Sequence, residues 1–333
     1  MKGFTAAWAF LMVVLSQGPG LAATPCASCH PTETAQHEKT SHAHAMLPAL
    51  HSPLGENLPS QPLHEAAGGF QFTYSPKKNG IAVTASRGAE RAEGLIEWVM
   101  GAGVQGETPL VRTPFGLDES RVSYFPELHQ YGITVGHPAG ISATAQAALG
   151  MGLGPKPMER CFGCHTTGGY TKELEPIGPG VGCARCHSGA EAHAEGHGKP
   201  FNPGKLNATA QALFCGNCHR SAVLPSQKND PEDVRFQPYR LMMSQCFATG
   251  KLSCMTCHPA HQNAVRNDHA FYIAKCVGCH PGTSAHADGL EKGDCIACHM
   301  PRVAIHPALK FTDHFIRVVK PATQAETAQV MAR

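Results

Sequence analysis

The hydrophobic pattern divides the chain into three kinds of sequence. A mainly apolar run of 12 residues extends from Phe4 to Leu15. Between residues 70 and 85, apolar and polar residues alternate with a period of two around the turn-forming segment 76–80, which is typical of a β-hairpin. From residue 161 onward, short apolar segments are interrupted by Gly, Pro and charged residues. This last pattern predicts short helices joined by loops.

The N-terminal run has the features of a secretory signal peptide. Lys2 precedes it, and the small residues Ala22 and Ala23 follow it, as at a cleavage site. The run is shorter than the roughly 20 residues that a membrane-spanning helix needs. We therefore predict that residues 1–23 are a signal peptide and that the mature protein lies in the periplasm or is otherwise exported. We expect membrane association only through partner proteins or an uncleaved signal.

The alternating region predicts a small β-rich insert. Residues 95–100 are expected to form a third short strand after the hairpin, and the strands fall within about residues 66–125. Two roles are open for this insert. It is either a structural shield for the rest of the protein or a docking face or pocket wall, for which Arg121, Tyr124 and His129 are candidates.

The chain has too few large apolar residues for two conventional hydrophobic cores. Of 333 residues, 35 are Gly and 26 are Pro, and aromatic residues make up 7%. A chain of this length would normally bury more large apolar side chains. The formal net charge of +2 gives no reason to expect nucleic-acid binding. We therefore expect a group other than side chains to fill part of the interior.

Fourteen of the 15 cysteines fall into one repeated pentapeptide, Cys-x-x-Cys-His, which occurs seven times. We number these motifs 1 to 7 in chain order. The remaining cysteine, Cys246, is expected to be a buried, unreactive thiol. The cysteines of the motifs are Cys26 and Cys29, Cys161 and Cys164, Cys183 and Cys186, Cys215 and Cys218, Cys254 and Cys257, Cys276 and Cys279, and Cys295 and Cys298. The histidines that follow them are His30, His165, His187, His219, His258, His280 and His299.

This spacing is the attachment pattern of covalent haem c. Two thiols three positions apart add to the two vinyl groups of one haem, and the next histidine then binds the iron from below. Zinc ribbons and disulfides also use paired cysteines, but neither requires a histidine directly after the second cysteine of each pair. We therefore predict seven covalently attached haem c groups, each with its motif histidine as the proximal iron ligand.

The other 14 histidines are the candidates for distal iron ligands. A histidine close to its own motif is better placed to bind a neighbouring haem than its own. Met46 and Met300 are alternatives that would raise the reduction potential. Because histidine is so abundant, we favour iron atoms bound by two histidines and hence low potentials.

The sequence around the motifs resembles the multihaem cytochromes c of the cytochrome c-552/4 type, which are similar to carriers that accept electrons during hydroxylamine oxidation. The resemblance lies in residues 40–46, 180–187 with His193, 295–301 and 311–316, and in Gly136-His137 ahead of residues 161–167. It implies that His42, His193 and His314 are distal ligands. On spacing alone, His137, His261, His286 and His306 are further candidates.

These observations predict a mainly α-helical and irregular multihaem cytochrome c with a haem-filled core and a small β-rich insert. After the signal peptide, residues 24–65 form an N-terminal segment with one haem, and residues 66–150 form the β-rich insert and linker. Residues 151–333 form a region with six haems.

The resemblance implies a periplasmic heptahaem electron carrier that acts between a donor and an acceptor protein. The alternative is an oxidoreductase in which one iron has an open site for nitrite, hydroxylamine, nitric oxide or a small sulfur species. Related nitrite reductases typically mark the catalytic haem with Lys, whereas all seven motifs here end in His. No catalytic residue is assigned. A structural or filament-forming cytochrome is a third, lesser possibility.

Overall fold

The computed structural model of the protein describes residues 25–222, 231–281 and 294–317. The predicted signal peptide and the candidate ligand His286 lie outside these ranges. Within them, no helix is long and apolar enough to cross a membrane.

An eight-stranded antiparallel sheet dominates the first half of the described chain. Its strands are β1 (Met46–Pro48), β2 (Leu63–His64), β3 (Gln71–Lys77), β4 (Gly80–Arg87), β5 (Glu90–Met100), β6 (Thr108–Thr113), β7 (Gly116–Ser120) and β10 (Gly150–Gly152). The order across the sheet is β10-β7-β6-β5-β4-β3-β2, and β1 pairs with β5. Strands β8 (Val122–Phe125) and β9 (Gln130–Ile133) pair separately, as do β11 (Arg302–His306) and β12 (Leu309–Thr312).

The predicted hairpin and third strand are present as β3, β4 and β5, but the sheet is larger than the predicted insert. Strands β1 and β2 come from the segment before residue 66, and β10 follows the predicted strand region. The added strands have two or three residues each, too few to show an alternating pattern. The expectation of a mainly α-helical fold is therefore corrected to a mixed α/β fold.

Twelve α-helices lie in the described ranges, and most are short. They are α1 (Pro31–His37), α2 (Pro53–Glu56), α3 (Ala145–Leu149), α4 (Pro155–His165), α5 (Cys183–Cys186), α6 (Ala190–Ala194), α7 (Ala208–His219), α8 (Gln237–Met242), α9 (Gln245–Ala248), α10 (Cys254–Cys257), α11 (His269–Val277) and α12 (Cys295–His299). Motifs 2 to 7 begin on α4, α5, α7, α10, α11 and α12, and motif 1 begins on the 3₁₀ turn Pro25–Ser28. The expected short helices around the motifs are thus confirmed for the motifs that the structure describes.

Polar residues start several of the motif helices. The side chain of Asn207 accepts the Ala210 amide at the start of α7, and Asp294 accepts the Ile296 and Ala297 amides at the start of α12. Such caps satisfy amide groups that have no partner within the helix. They fix the point at which each helix begins and therefore where its cysteines lie.

The sheet holds motif 2 through a shared apolar cluster. Met46 and Met100 of the sheet pack with Met158 and Phe162 of α4, and all four are buried. A second cluster between the sheet and α3 contains Phe70, among other buried residues. Helix α4 is consequently anchored on the sheet, and the cysteines and histidine at its end project from a rigid support.

Two of the three candidates for a pocket wall have structural roles. Arg121 is buried, and its Nε lies 2.8 Å from Glu65 Oε1 while its Nη1 donates to the Pro138 carbonyl at 3.0 Å. Tyr124 packs in the cluster with Phe70. Arg121 and Tyr124 are therefore structural residues that hold the 138–142 loop against the sheet, whereas His129 is exposed and belongs to neither contact.

Candidate haem-binding cavity

One large cavity is lined by residues of all seven Cys-x-x-Cys-His motifs. Its volume is about 3060 Å³, and it is lined by all seven motif histidines and by every motif cysteine except Cys161 and Cys298. Binding sites for a single small molecule typically measure about 300–1,000 Å³. The cavity thus has the size and the donor groups for several large cofactors, and the residues present fit covalently attached haem.

Backbone carbonyls orient several motif histidines. When Nδ1 of an imidazole donates to a carbonyl, the ring is held in place and Nε2 remains available for a metal. The distances from Nδ1 to the carbonyl oxygen are 2.8 Å from His165 to Ala45, 3.0 Å from His187 to Phe201, and 3.0 Å from His299 to Arg317.

Three motif histidines face a second histidine across the cavity. Two imidazoles on opposite sides of one iron have nitrogens about 4 Å apart, so their ring centroids lie about 6 Å apart. The observed centroid distances are 5.9 Å for His219 and His42, 6.1 Å for His187 and His261, and 6.2 Å for His258 and His314. These separations suit an iron between the two rings in motifs 4, 3 and 5.

Burial keeps these imidazoles in the form that binds metal. It lowers the pKa of His42, His219 and His258, and the facing ring lowers the pKa of His42 further. Burial and then the neighbouring His258 lower the pKa of His314 to about 4. Because a metal ligand must be unprotonated, these rings are ready to bind iron at neutral pH.

The structure brings some of the predicted distal ligands to the cavity and leaves others elsewhere. His193 lines the cavity, and its Nδ1 lies 2.9 Å from the Gly198 carbonyl oxygen. His137 and His306 do not line it. The Nε2 of His137 is instead 3.2 Å from Glu119, and the His306 ring stacks on Phe125 at 5.3 Å.

The geometry therefore gives no support to His137 or His306 as iron ligands, because each contacts a neighbour in the strand region. Met46 is buried in the apolar cluster with α4, whereas Met300 lines the cavity.

Two further histidines, which were not predicted from the sequence, also line the cavity. His37 ends α1 and lies near His42 and His261. His269 begins α11, and its Nδ1 contacts Asp294 directly before motif 7. Neither lies in a stretch with a recognisable motif, so position in the fold was needed to find them.

Thiols of different motifs lie near one another in the cavity. These neighbouring pairs link motifs 1, 3, 4, 5, 6 and 7 in a series and link motif 2 to motif 4. Hydrogen-bonded thiols are Cys26 with Cys183, Cys164 with Cys218, and Cys215 with Cys254. Thiols close enough to interact electrostatically are Cys186 with Cys215, Cys257 with Cys276, and Cys276 with Cys295.

Cys246 lies beside motifs 5 and 6. Its thiol is an electrostatic neighbour of Cys257, Cys276 and Cys279. Cys246 is half-buried, not buried as expected, and this partial burial raises the pKa of its thiol. Since a raised pKa disfavours the reactive thiolate, the environment agrees with an unreactive thiol.

Comparisons with known proteins point to one class of protein. Residues 139–188, which contain motifs 2 and 3, match the family described as cytochrome c554 and c-prime. The fold is similar to that of the outer cell wall cytochrome OcwA, with a TM-score of 0.50 and 15% sequence identity over 89% of this chain and 79% of that chain. No curated protein matched the chain.

The partial family match, the similarity in fold and the motif cavity together support a multihaem c-type cytochrome. Proteins of this class carry covalently bound haem and transfer electrons. This agrees with the resemblance inferred from the sequence at the level of the multihaem cytochromes.

Proposed function

We propose that this protein is an exported heptahaem cytochrome of the cytochrome c-552/4 type that carries electrons between redox partner proteins. The observation that carries the proposal is that all seven motif histidines line one cavity. Each motif there combines two thiols with an imidazole, the donor set of covalent haem c. When bound, haem supplies the one-electron chemistry of its iron.

Histidine pairs in the cavity support electron transfer over catalysis. An iron held by two imidazoles has both axial positions filled, whereas chemistry on a substrate requires an open position. The pairs at motifs 3, 4 and 5 supply such ligands at the centre of the series. We extend this arrangement to the other motifs and to the low potentials that it favours.

The proximity of thiols from different motifs supports a continuous path. Neighbouring attachment sites run from motif 1 through motifs 3, 4, 5 and 6 to motif 7, with motif 2 joined at motif 4. Cys29 of motif 1, Cys279 of motif 6 and Cys298 of motif 7 are the exposed motif cysteines. We therefore place the docking sites of the redox partners at motif 1 and at motifs 6 and 7.

General features of the chain support export and brief binding of redox partners. The signal-like N-terminus and the cell-wall location in the name of OcwA support export. The small net charge of +2 favours brief encounters with partners without strong long-range steering.

The number of haems per chain tests this proposal. We expect seven haems per chain when the protein is produced in a host that attaches haem c, measured by intact mass and by the pyridine haemochrome. Cys218→Ser should reduce the count, whereas the matched control Cys246→Ser should retain seven because Cys246 belongs to no motif. A wild-type chain with fewer than seven haems, or with zinc in place of haem, would contradict the proposal.

The same preparation tests the alternative function. A high-spin iron signal that shifts on addition of nitrite, hydroxylamine or nitric oxide would favour an oxidoreductase with one open haem. Low-spin iron alone would leave electron transfer as the function.

A further inference from the structure

We propose that the buried carboxyl of Glu107 is a proton-binding site coupled to the haem of motif 2, so that the protein takes up a proton together with an electron. The inference rests on the proposed function because it requires a haem at motif 2. One electron from the donor protein reduces Fe(III) to Fe(II) at this motif. The ionised Glu107 carboxylate then binds one proton from solution and becomes the neutral acid.

The Glu107 side chain is buried without a cation. The residue is 1% exposed, and the Leu54 amide of α2 donates to its Oε2 at 2.7 Å. The Gly103 amide donates a second hydrogen bond to the carboxylate. Within the described residues, no Lys, Arg or His forms an ion pair with Glu107. Burial of a carboxyl without a cation favours its neutral form, so this site binds a proton more readily than a surface glutamate does.

The titratable groups that lie near Glu107 bring no positive charge. They are Glu56 of α2, Tyr124 of β8 and Tyr131 of β9. Burial raises the pKa of Glu107 to about 7 with a smaller contribution from Glu56, although the two amide hydrogen bonds act in the opposite direction. The carboxyl therefore exchanges its proton near neutral pH.

The Glu107 side chain packs on the loop that supports the motif 2 histidine. A Cβ atom at Gly101 would lie only 3.1 Å from Cγ of Glu107. The Gly101 amide donates to the Ala45 carbonyl at 3.0 Å, and the same carbonyl oxygen lies 2.8 Å from Nδ1 of His165. Most of the loop 101–106 also lines the cavity. Only Gly101 and the Ala45 carbonyl therefore separate Glu107 from the imidazole that binds the motif 2 iron.

An added electron and a proton attract each other when both lie in the low-dielectric interior of a protein. Reduction removes one positive charge from the iron, which makes protonation of Glu107 more favourable. Because coupling between two sites is reciprocal, protonation of Glu107 raises the reduction potential of this iron by the same free energy. The potential should therefore rise as pH falls through the range in which Glu107 binds its proton.

Reduction potentials measured from about pH 5 to about pH 9 on the full chain with its haems test the site. In the wild type, we expect the potential of one haem to fall between these limits by about a tenfold change in its ratio of reduced to oxidised form, or 59 mV for one electron. Glu107→Gln keeps the size of the side chain but exchanges no proton. The variant should match the wild type at the acid limit, where Glu107 is neutral, and should lack the fall at higher pH.

Glu93→Gln is the matched control, because Glu93 is an exposed glutamate of the same sheet and pairs with Arg91. We expect this variant to keep the pH dependence of the wild type. Infrared difference spectra of the reduced and oxidised protein give a second measurement. Near pH 7, reduction of the wild type should add the band of a protonated carboxyl, and Glu107→Gln should lose this band.

A pH dependence that Glu107→Gln leaves unchanged would overturn the proton site, as would a constant offset of the potential at every pH. The number of haems is measured first in every variant. A wild-type chain with fewer than seven haems contradicts the proposed function, whereas seven haems with an unaltered pH dependence in Glu107→Gln contradict only the proton site. If Glu107→Gln does not fold, the wild-type infrared spectrum decides, and no gain of a protonated carboxyl on reduction would overturn the site.

Discussion

Replacing His42 by alanine is expected to convert one of the haems from low-spin to high-spin iron. The His42 ring lies 5.9 Å from that of His219 across the cavity, which suits an iron bound between them. Removing the ring leaves this iron with one axial protein ligand, and the splitting of its d orbitals decreases. Electron paramagnetic resonance should then show one equivalent of high-spin iron per chain.

His44→Ala is a matched control two residues further along. The Nδ1 of His44 lies 2.9 Å from the Thr40 carbonyl oxygen, and its side chain does not line the cavity. We expect no new high-spin signal from this variant. If His42→Ala gives no signal, or if both variants give the same signal, His42 is not the ligand opposite His219.

Replacing Asp313 by alanine is expected to give the largest loss of stability among these substitutions. The buried Asp313 carboxylate accepts hydrogen bonds from Arg240 at 2.8 and 2.7 Å and from Arg317 at 2.6 Å. Loss of one partner of a buried ion pair leaves an uncompensated charge and costs about 3–5 kcal/mol. Urea unfolding should report a decrease of this size in the free energy of unfolding.

Asp313 also fixes the segment that carries His314. The hydroxyl of Ser244 also holds this segment, because it accepts the Ile316 amide at 2.8 Å. Without the carboxylate, we expect His314 to leave its place opposite His258 in part of the population, which adds high-spin iron at motif 5. Glu93→Ala is the control, since Glu93 and Arg91 form an exposed pair worth less than about 1 kcal/mol. Equal stability losses in the two variants would contradict the role of Asp313.

The stability contributed by Asp313 should depend on pH in a defined direction. Burial acts to raise the pKa of Asp313, but hydrogen bonds from Arg240, the Phe315 amide and Arg317 outweigh it and leave the pKa lowered. A carboxyl whose pKa is lower in the folded state stabilises the protein above its unfolded pKa and loses this effect as pH falls through the folded pKa. The difference between wild type and Asp313→Ala should thus shrink below about pH 4, the ordinary range of aspartate.

The haem attachment sites could be predicted from the sequence because their chemistry is local. Two thiols and an imidazole within five residues form one unit, whatever the rest of the fold does. The partners of these imidazoles are different, since His42 and His219 are far apart in sequence and meet only through tertiary structure. Spacing alone selected His261, which faces His187, but it also selected His137, which contacts Glu119.

The number of strands in the sheet could not be predicted from the sequence for a related reason. The alternating pattern of β3 and β4 is visible because each strand is seven or eight residues long. Strand β1 has three residues and pairs with β5, which is more than 40 residues away in sequence. Such a strand forms because it pairs with a distant strand and because Met46 is buried against α4. Neither cause can be recognised from the three residues of the strand itself.

A reductive titration of the oxidised protein, followed by its optical spectrum, tests the central claim most directly. We predict that each chain takes up seven electrons and that every step increases the absorption bands of reduced low-spin haem c. Fewer than seven electrons per chain, or steps without these bands, would contradict a heptahaem electron carrier.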